Sequence, residues 1–160
     1  MLLTGGIGVL ELDNKWLAIK EAAIPAAIGI GVLISSYTKF PLVKTLLYNP
    51  AVLNVEKING RLEEKDNKAQ FDKQLLNANF FLAGTFFFSA VMNYVLAKWV
   101  VVSPSGTEAF NQELGKMMAM SYPVIAIPSM IMMLGIFYYL WRTINRLSGL
   151  ELEEVMAVKE

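Results

Sequence analysis

Three stretches of this chain carry no charged side chain: between Glu21 and Lys39, between Lys73 and Lys98, and between Lys116 and Arg142. A helix needs about 20 mainly apolar residues to cross a hydrocarbon core of about 30 Å, and inside that core every backbone polar group must be paired within the segment. The runs therefore predict three full spans, at 21–37, 74–100 and 116–141. Composition points the same way. The 160 residues are 55% hydrophobic and only 18% charged, with a mean hydropathy of +0.45, against about 45–50% apolar and about 25% charged in an ordinary soluble domain. The expected fold class is all-α, a polytopic transmembrane helix bundle forming a single membrane domain over 1–160.

Residues 1–10 are apolar, but as a helix they reach only about half-way across a bilayer. No basic residue precedes them, as one would in a secretory signal peptide. They read as a partial membrane helix, the final turns of one whose earlier part lies before Met1, with a short or re-entrant segment as the alternative. "ELDNK", Glu11 to Lys15, is then an aqueous turn. Gly6 and Gly8 begin a G-x-G-x-x-G phosphate-cradling pattern, but Glu11 stands where the third glycine belongs. An acid there repels the pyrophosphate that the motif holds at a helix N-terminus.

Orientation follows from the basic residues of the short loops. Lys39, Lys44, Lys57, Arg61, Lys65, Lys68 and Lys73 lie between the first two spans, and none lies in 101–115. The loop 39–73 is expected in the cytoplasm, and Arg142 and Arg146 place the C-terminus on the same side. Trp16, Trp99, Trp141 and Tyr138 fall near span ends, where amphipathic rings favour the interface. Within the loop a short surface helix is expected over 49–68, with Asn49 as N-cap, Pro50 at the first helical position, and Val55, Ile58 and Leu62 on one side. Its mixed charges suit a solvated face better than an anionic-lipid anchor. Residues 147–160 read as a charged tail.

Fourteen Lys plus Arg balance fourteen Asp plus Glu, so no net field recruits nucleic acid. The absence of cysteine and histidine removes disulfides, thiol nucleophiles, Ser-His-Asp triads and the usual zinc sets. No acid lies inside a predicted span, which argues against a proton relay there. No catalytic, cofactor-binding or metal residue is therefore expected, and the methionines of the third span suit plastic packing better than metal ligation.

Two uncharged patterns remain as candidate helix-packing sites. Ala23, Ala27, Gly31 and Ser35 recur every four residues, a small ridge that admits another helix backbone. Asn77, Thr85, Ser89 and Asn93 form an i, i+4 line broken by Phe81, which suits either bonding across helices or a polar path. Ser89 and Asn93 are expected to face the small ridge, and Gly31→Leu to wedge those helices apart. Pro123 and Pro128 should kink the third span.

"GGIGVLELDNKWLAIK" resembles the intracellular septation protein A family of inner-membrane proteins, with Gly5, Gly6, Trp16 and Lys20 falling where that pattern has glycine, glycine, aromatic and lysine. "FPLVKTLL", Phe40 to Leu47, is similar to the family's basic Pro-Leu segment. Asn79, Asn93 and Tyr94 match asparagines and an aromatic of the following helix, and "GIFYYLWR", Gly135 to Arg142, looks like its last helix end. The likeness runs from about Gly5 to Arg142 around an enlarged loop. It lacks the family's tryptophans in the penultimate helix, since no Trp occurs between Trp16 and Trp99. The resemblance implies a bacterial inner-membrane protein linked to septation and envelope growth, with further helices before the glycine pair and no reaction.

The expectation is thus a non-enzymatic multi-pass protein of the bacterial inner membrane, without cofactor. It acts in septation and envelope assembly through helix–helix contacts with partner membrane proteins. A small transporter or channel subunit is the alternative, and a membrane enzyme is disfavoured. The expected surroundings are the lipid bilayer and partner membrane proteins of envelope assembly, with no nucleic acid, and a homo-oligomer is among the assemblies open to it.

Overall fold

The structure, a computed structural model, describes residues 14–156. The partial helix expected over 1–10, the first residues of the "ELDNK" turn and the last four of the tail lie outside the described residues. The described chain is all-α: α1 Asn14–Ser35, α2 Leu42–Leu46, α3 Val55–Glu64, α4 Lys68–Val100, α5 Glu108–Ser121, a π turn Tyr122–Ala126, α6 Ile127–Ser148 and α7 Leu152–Val155. Three helical stretches are long and apolar enough to cross a membrane: Trp16–Ser35, Lys68–Val100 and Glu108–Ser148. The protein is accordingly read as membrane-embedded.

Each span begins before its charge-free run, and the first stops at Ser35, short of Lys39. Asn14 and Lys15 of the polar turn are already helical in α1. The third span starts at Glu108 because Thr107 caps α5, its hydroxyl accepting the Phe110 amide at 3.2 Å. Pro123 and Pro128 both lack the amide that an α-helical ladder requires. Between them the chain makes a π turn, in which the Ile127 amide reaches the Tyr122 carbonyl five residues back.

The chain divides into two compact units, each containing parts of the three long helices. The first comprises residues 14–27 with Phe86–Met130. Its core is Ala18, Leu96, Ala97, Val101, Met117 and Ile125. Glu113 fastens the connection after α4: its carboxylate accepts the Val102 amide at 2.9 Å, the Ser103 amide at 2.8 Å and the Ser103 hydroxyl at 2.8 Å.

The second unit comprises Ile28–Thr85 with residues 131–156. In it α2, α3 and α7 build a cap against the ends of the longer helices. The loop helix is shorter than 49–68 and starts at Val55, because Asn54 is the N-cap, its Oδ1 accepting the Lys57 amide at 3.3 Å. Asn49 closes the preceding helix instead. Its Nδ2 donates to the Thr45 and Leu46 carbonyls at 3.0 and 2.9 Å, and its Oδ1 accepts the Ala51 amide at 2.9 Å. Of the apolar side expected on this helix, Ile58 and Leu62 are fully buried, as is Phe71 of α4, each worth about 1.5–3 kcal/mol of burial.

Polar pairing holds the cap together. The Asn54 amide donates to the Val155 carbonyl at 2.8 Å beside an antiparallel bridge between Leu53 and Met156. Lys57 Nζ meets Glu154 Oε1 at 2.8 Å, so the charged tail folds back onto the loop. The Tyr48 hydroxyl donates to Asn59 Oδ1 at 3.0 Å, and burial, assisted by the Asp72 carboxylate, pushes this phenol above its ordinary range. Gly149 ends α6 at φ 74°, with Lys65 crossing where a Cβ would stand.

Candidate functional site

An asparagine placed on an apolar stripe needs its amide satisfied, because leaving it bare in a hydrocarbon setting costs a few kcal/mol. Asn79 is such a residue, in sequence with the buried Phe71, Leu75, Ala78 and Leu82 of α4. It is fully buried and joins three segments of the second unit. Its Nδ2 lies 2.8 Å from the Val32 carbonyl, 3.1 Å from Ser35 Oγ and 2.8 Å from Ser36 Oγ, so two protons are shared among three acceptors at the end of α1. Its Oδ1 accepts the Val43 amide of α2 at 2.9 Å. Ser35 completes the knot: it donates to the Val32 carbonyl at 2.6 Å and accepts the Leu42 amide at 3.0 Å.

The small ridge divides. Ser35 is buried in this knot, whereas Ala23, Ala27 and Gly31 are exposed, and a side chain added at Gly31 would meet open space. The reason is geometric. An i, i+4 line on a helix of 3.6 residues per turn drifts about 40° per step, so Ala23 and Ser35 face directions about 120° apart.

The same drift scatters the polar line of α4. Asn77 is exposed, and Thr85 is buried with its hydroxyl on the Phe81 carbonyl at 3.2 Å. Ser89 Oγ lies 3.1 Å from Ser129 Oγ of α6, within the first unit. Asn93 Nδ2 donates to the Ser89 carbonyl of its own helix at 2.9 Å. The structure thus brings Ser35 together with Asn79. Asn79 stood outside the packing line read from the sequence, where only the family resemblance singled it out, and its apolar neighbours Ala78 and Phe80 to Leu82 were the local signal beside it.

The second unit also carries an apolar groove of about 590 Å³ between α4 and α6, within the range of about 300–1,000 Å³ usual for small-molecule sites. Phe80, Phe81 and Gly84 of α4 face Gly135, Tyr138 and Tyr139 of α6. The Phe81 and Tyr139 rings meet edge to face with centroids 5.5 Å apart, and the Tyr139 hydroxyl is bonded to Gln74. Gly84 and Gly135 both face open space in the groove, since an added Cβ at either would touch nothing within 4 Å. Arg142 lines one end and makes no ion pair or hydrogen bond among the described residues. A smaller cavity of about 290 Å³ lies under the cap, walled by Leu53, Trp141, Ile144 and Met156 among others.

Among the described residues no group of acids, histidines and cysteines is arranged to hold a metal ion. No family model, no curated protein and no solved structure matches the chain.

Proposed function

We propose that the chain is a non-enzymatic, multi-pass protein of the bacterial inner membrane that acts by helix–helix contact with partner membrane proteins, in the septation and envelope assembly implied by its resemblance. In this reading the loop 39–73 and the C-terminus are cytoplasmic, as the seven basic residues of that loop suggest. One observation carries it. The buried polar side chains Ser35 and Asn79 are spent on pairing within the second unit, while the small residues Ala23, Ala27 and Gly31 of α1 are exposed. Close helix approach on such a face is how membrane helices associate where lipid is as apolar as the side chains.

A photo-crosslinker at Ala27 in growing cells tests this. It should capture a membrane protein or a second copy, and Gly31→Leu should abolish capture without lowering the stability of the purified protein. Depletion should lengthen cells through delayed septation. No adduct at Ala27, or an equal loss of stability in Gly31→Leu, would overturn the packing account. The transporter reading draws on the π turn at Tyr122–Ala126, since such turns recur at functional sites. A gradient-driven cation or proton flux in reconstituted vesicles would favour it.

A further inference from the structure

The groove between α4 and α6 is built in a way that packing alone does not explain. Two helices with glycines facing a common space would ordinarily close on each other, as small residues permit. Here Gly84 and Gly135 have nothing within 4 Å of an added Cβ, and aromatic rings line both walls. From Met132 to Arg142 the groove follows α6 for about 15 Å at 1.5 Å per residue. That is the depth of one leaflet of a hydrocarbon core about 30 Å thick.

Chemistry changes along this length. Met132 to Trp141 carries no charge, and Arg142 ends the uncharged run. Its guanidinium makes no ion pair among the described residues and is exposed at the end of the groove. A planar cation with five donors at the mouth of an apolar slot matches an amphiphile with a hydrocarbon tail and an anionic phosphate head.

The geometry points to a resident anionic phospholipid of the bilayer, with one acyl chain in the Gly84–Gly135 groove and its phosphodiester on Arg142. The site stands independently of the helix-contact function, since it lies on α4 and α6 whereas the ridge lies on α1.

The test is native mass spectrometry of the purified full chain, delipidated and titrated with phosphatidylglycerol or phosphatidylcholine of the same acyl chains. The native protein should retain one phosphatidylglycerol per chain in preference to phosphatidylcholine. Arg142→Gln should lower that preference about fivefold, the scale of one interfacial cation against anionic lipid. Gly135→Leu should abolish retention of both lipids by filling the slot, and Gly84→Leu should do the same from the opposite wall, so a folding defect in one variant leaves the other to decide. Inorganic phosphate should not displace the lipid. Equal retention of the two lipids by the native protein, displacement by phosphate, or unchanged retention in a folded Gly135→Leu or Gly84→Leu variant would overturn the site. So would a dimer mass that Gly135→Leu converts to monomer. Loss of Ala27 crosslinking with lipid retention intact would count against the helix-contact function alone.

Discussion

Asn79 Nδ2 stands 2.8 Å from the Val32 carbonyl oxygen, so an asparagine of α4 fastens the last turn of α1. Its Oδ1 holds the Val43 amide of α2 at the same time. Asn79→Leu removes both functions and leaves a buried amide without its acceptor. At about 0.6 kcal/mol for an average interhelical bond in a membrane, with the unpaired donor added, the loss should be about 2 kcal/mol. Asn93→Leu removes a bond inside one helix and should change stability by less than about 0.5 kcal/mol. Unfolding both variants in mixed micelles measures the difference, and equal losses would mean that the knot is not what joins α1 to α4.

Gly149→Ala forces an L side chain into φ 74°, at a cost of about 1–2 kcal/mol, and meets the end of the Lys65 side chain. The lysine is long enough to move aside. Adding Lys65→Ala should therefore recover little of the loss, and full recovery would show that steric conflict outweighs the backbone.

The Glu154 carboxylate is held below its ordinary range, first by its hydrogen bond from Lys57 and then by the Glu151 amide. A carboxyl group with a depressed folded-state value contributes stability above its unfolded value and loses it as pH falls through the folded one. The protection factor of the Asn54 amide, its exchange rate corrected for the intrinsic pH dependence, should fall on acidification below the ordinary glutamate range. Glu154→Gln should show the lower protection factor already at neutral pH, with no further acid step from this pair.

The chain has no cysteine, so single cysteines report sidedness directly. With an impermeant maleimide, Gly60→Cys should label only after lysis and Ala109→Cys should label in intact cells, both positions being exposed. The reverse pattern would invert the orientation.

The three spans were legible because hydropathy and the absence of charge are properties of a linear run, but a charged residue does not end a helix: the spans continue through Lys73, Lys116 and Arg142 as far as Lys68, Glu108 and Ser148. Which way each residue faces was not. The spacing of Asn77, Thr85, Ser89 and Asn93 reads as one line, yet its drift sends Asn77 to the surface and Thr85 to the interior. Asn49 before Pro50 satisfies the rules for a helix start as well as Asn54 does, and only the carbonyls of Thr45 and Leu46 reveal that Asn49 is occupied. Gly84 and Gly135 belong to separate aromatic-rich segments. Nothing along the sequence says that they share a space, because that depends on the pairing of α4 with α6.

The bond from the Asn54 amide to the Val155 carbonyl sets an order of events during synthesis. Asn54 leaves the ribosome before either later span has been made, and its partner arrives only after both. Throughout that interval Leu53 lacks Met156, and Lys57 lacks Glu154, so the cap closes last. A ribosome stalled while making α6 would hold a nascent chain whose inserted spans have no finished lid, open to proteases and chaperones that the completed protein excludes.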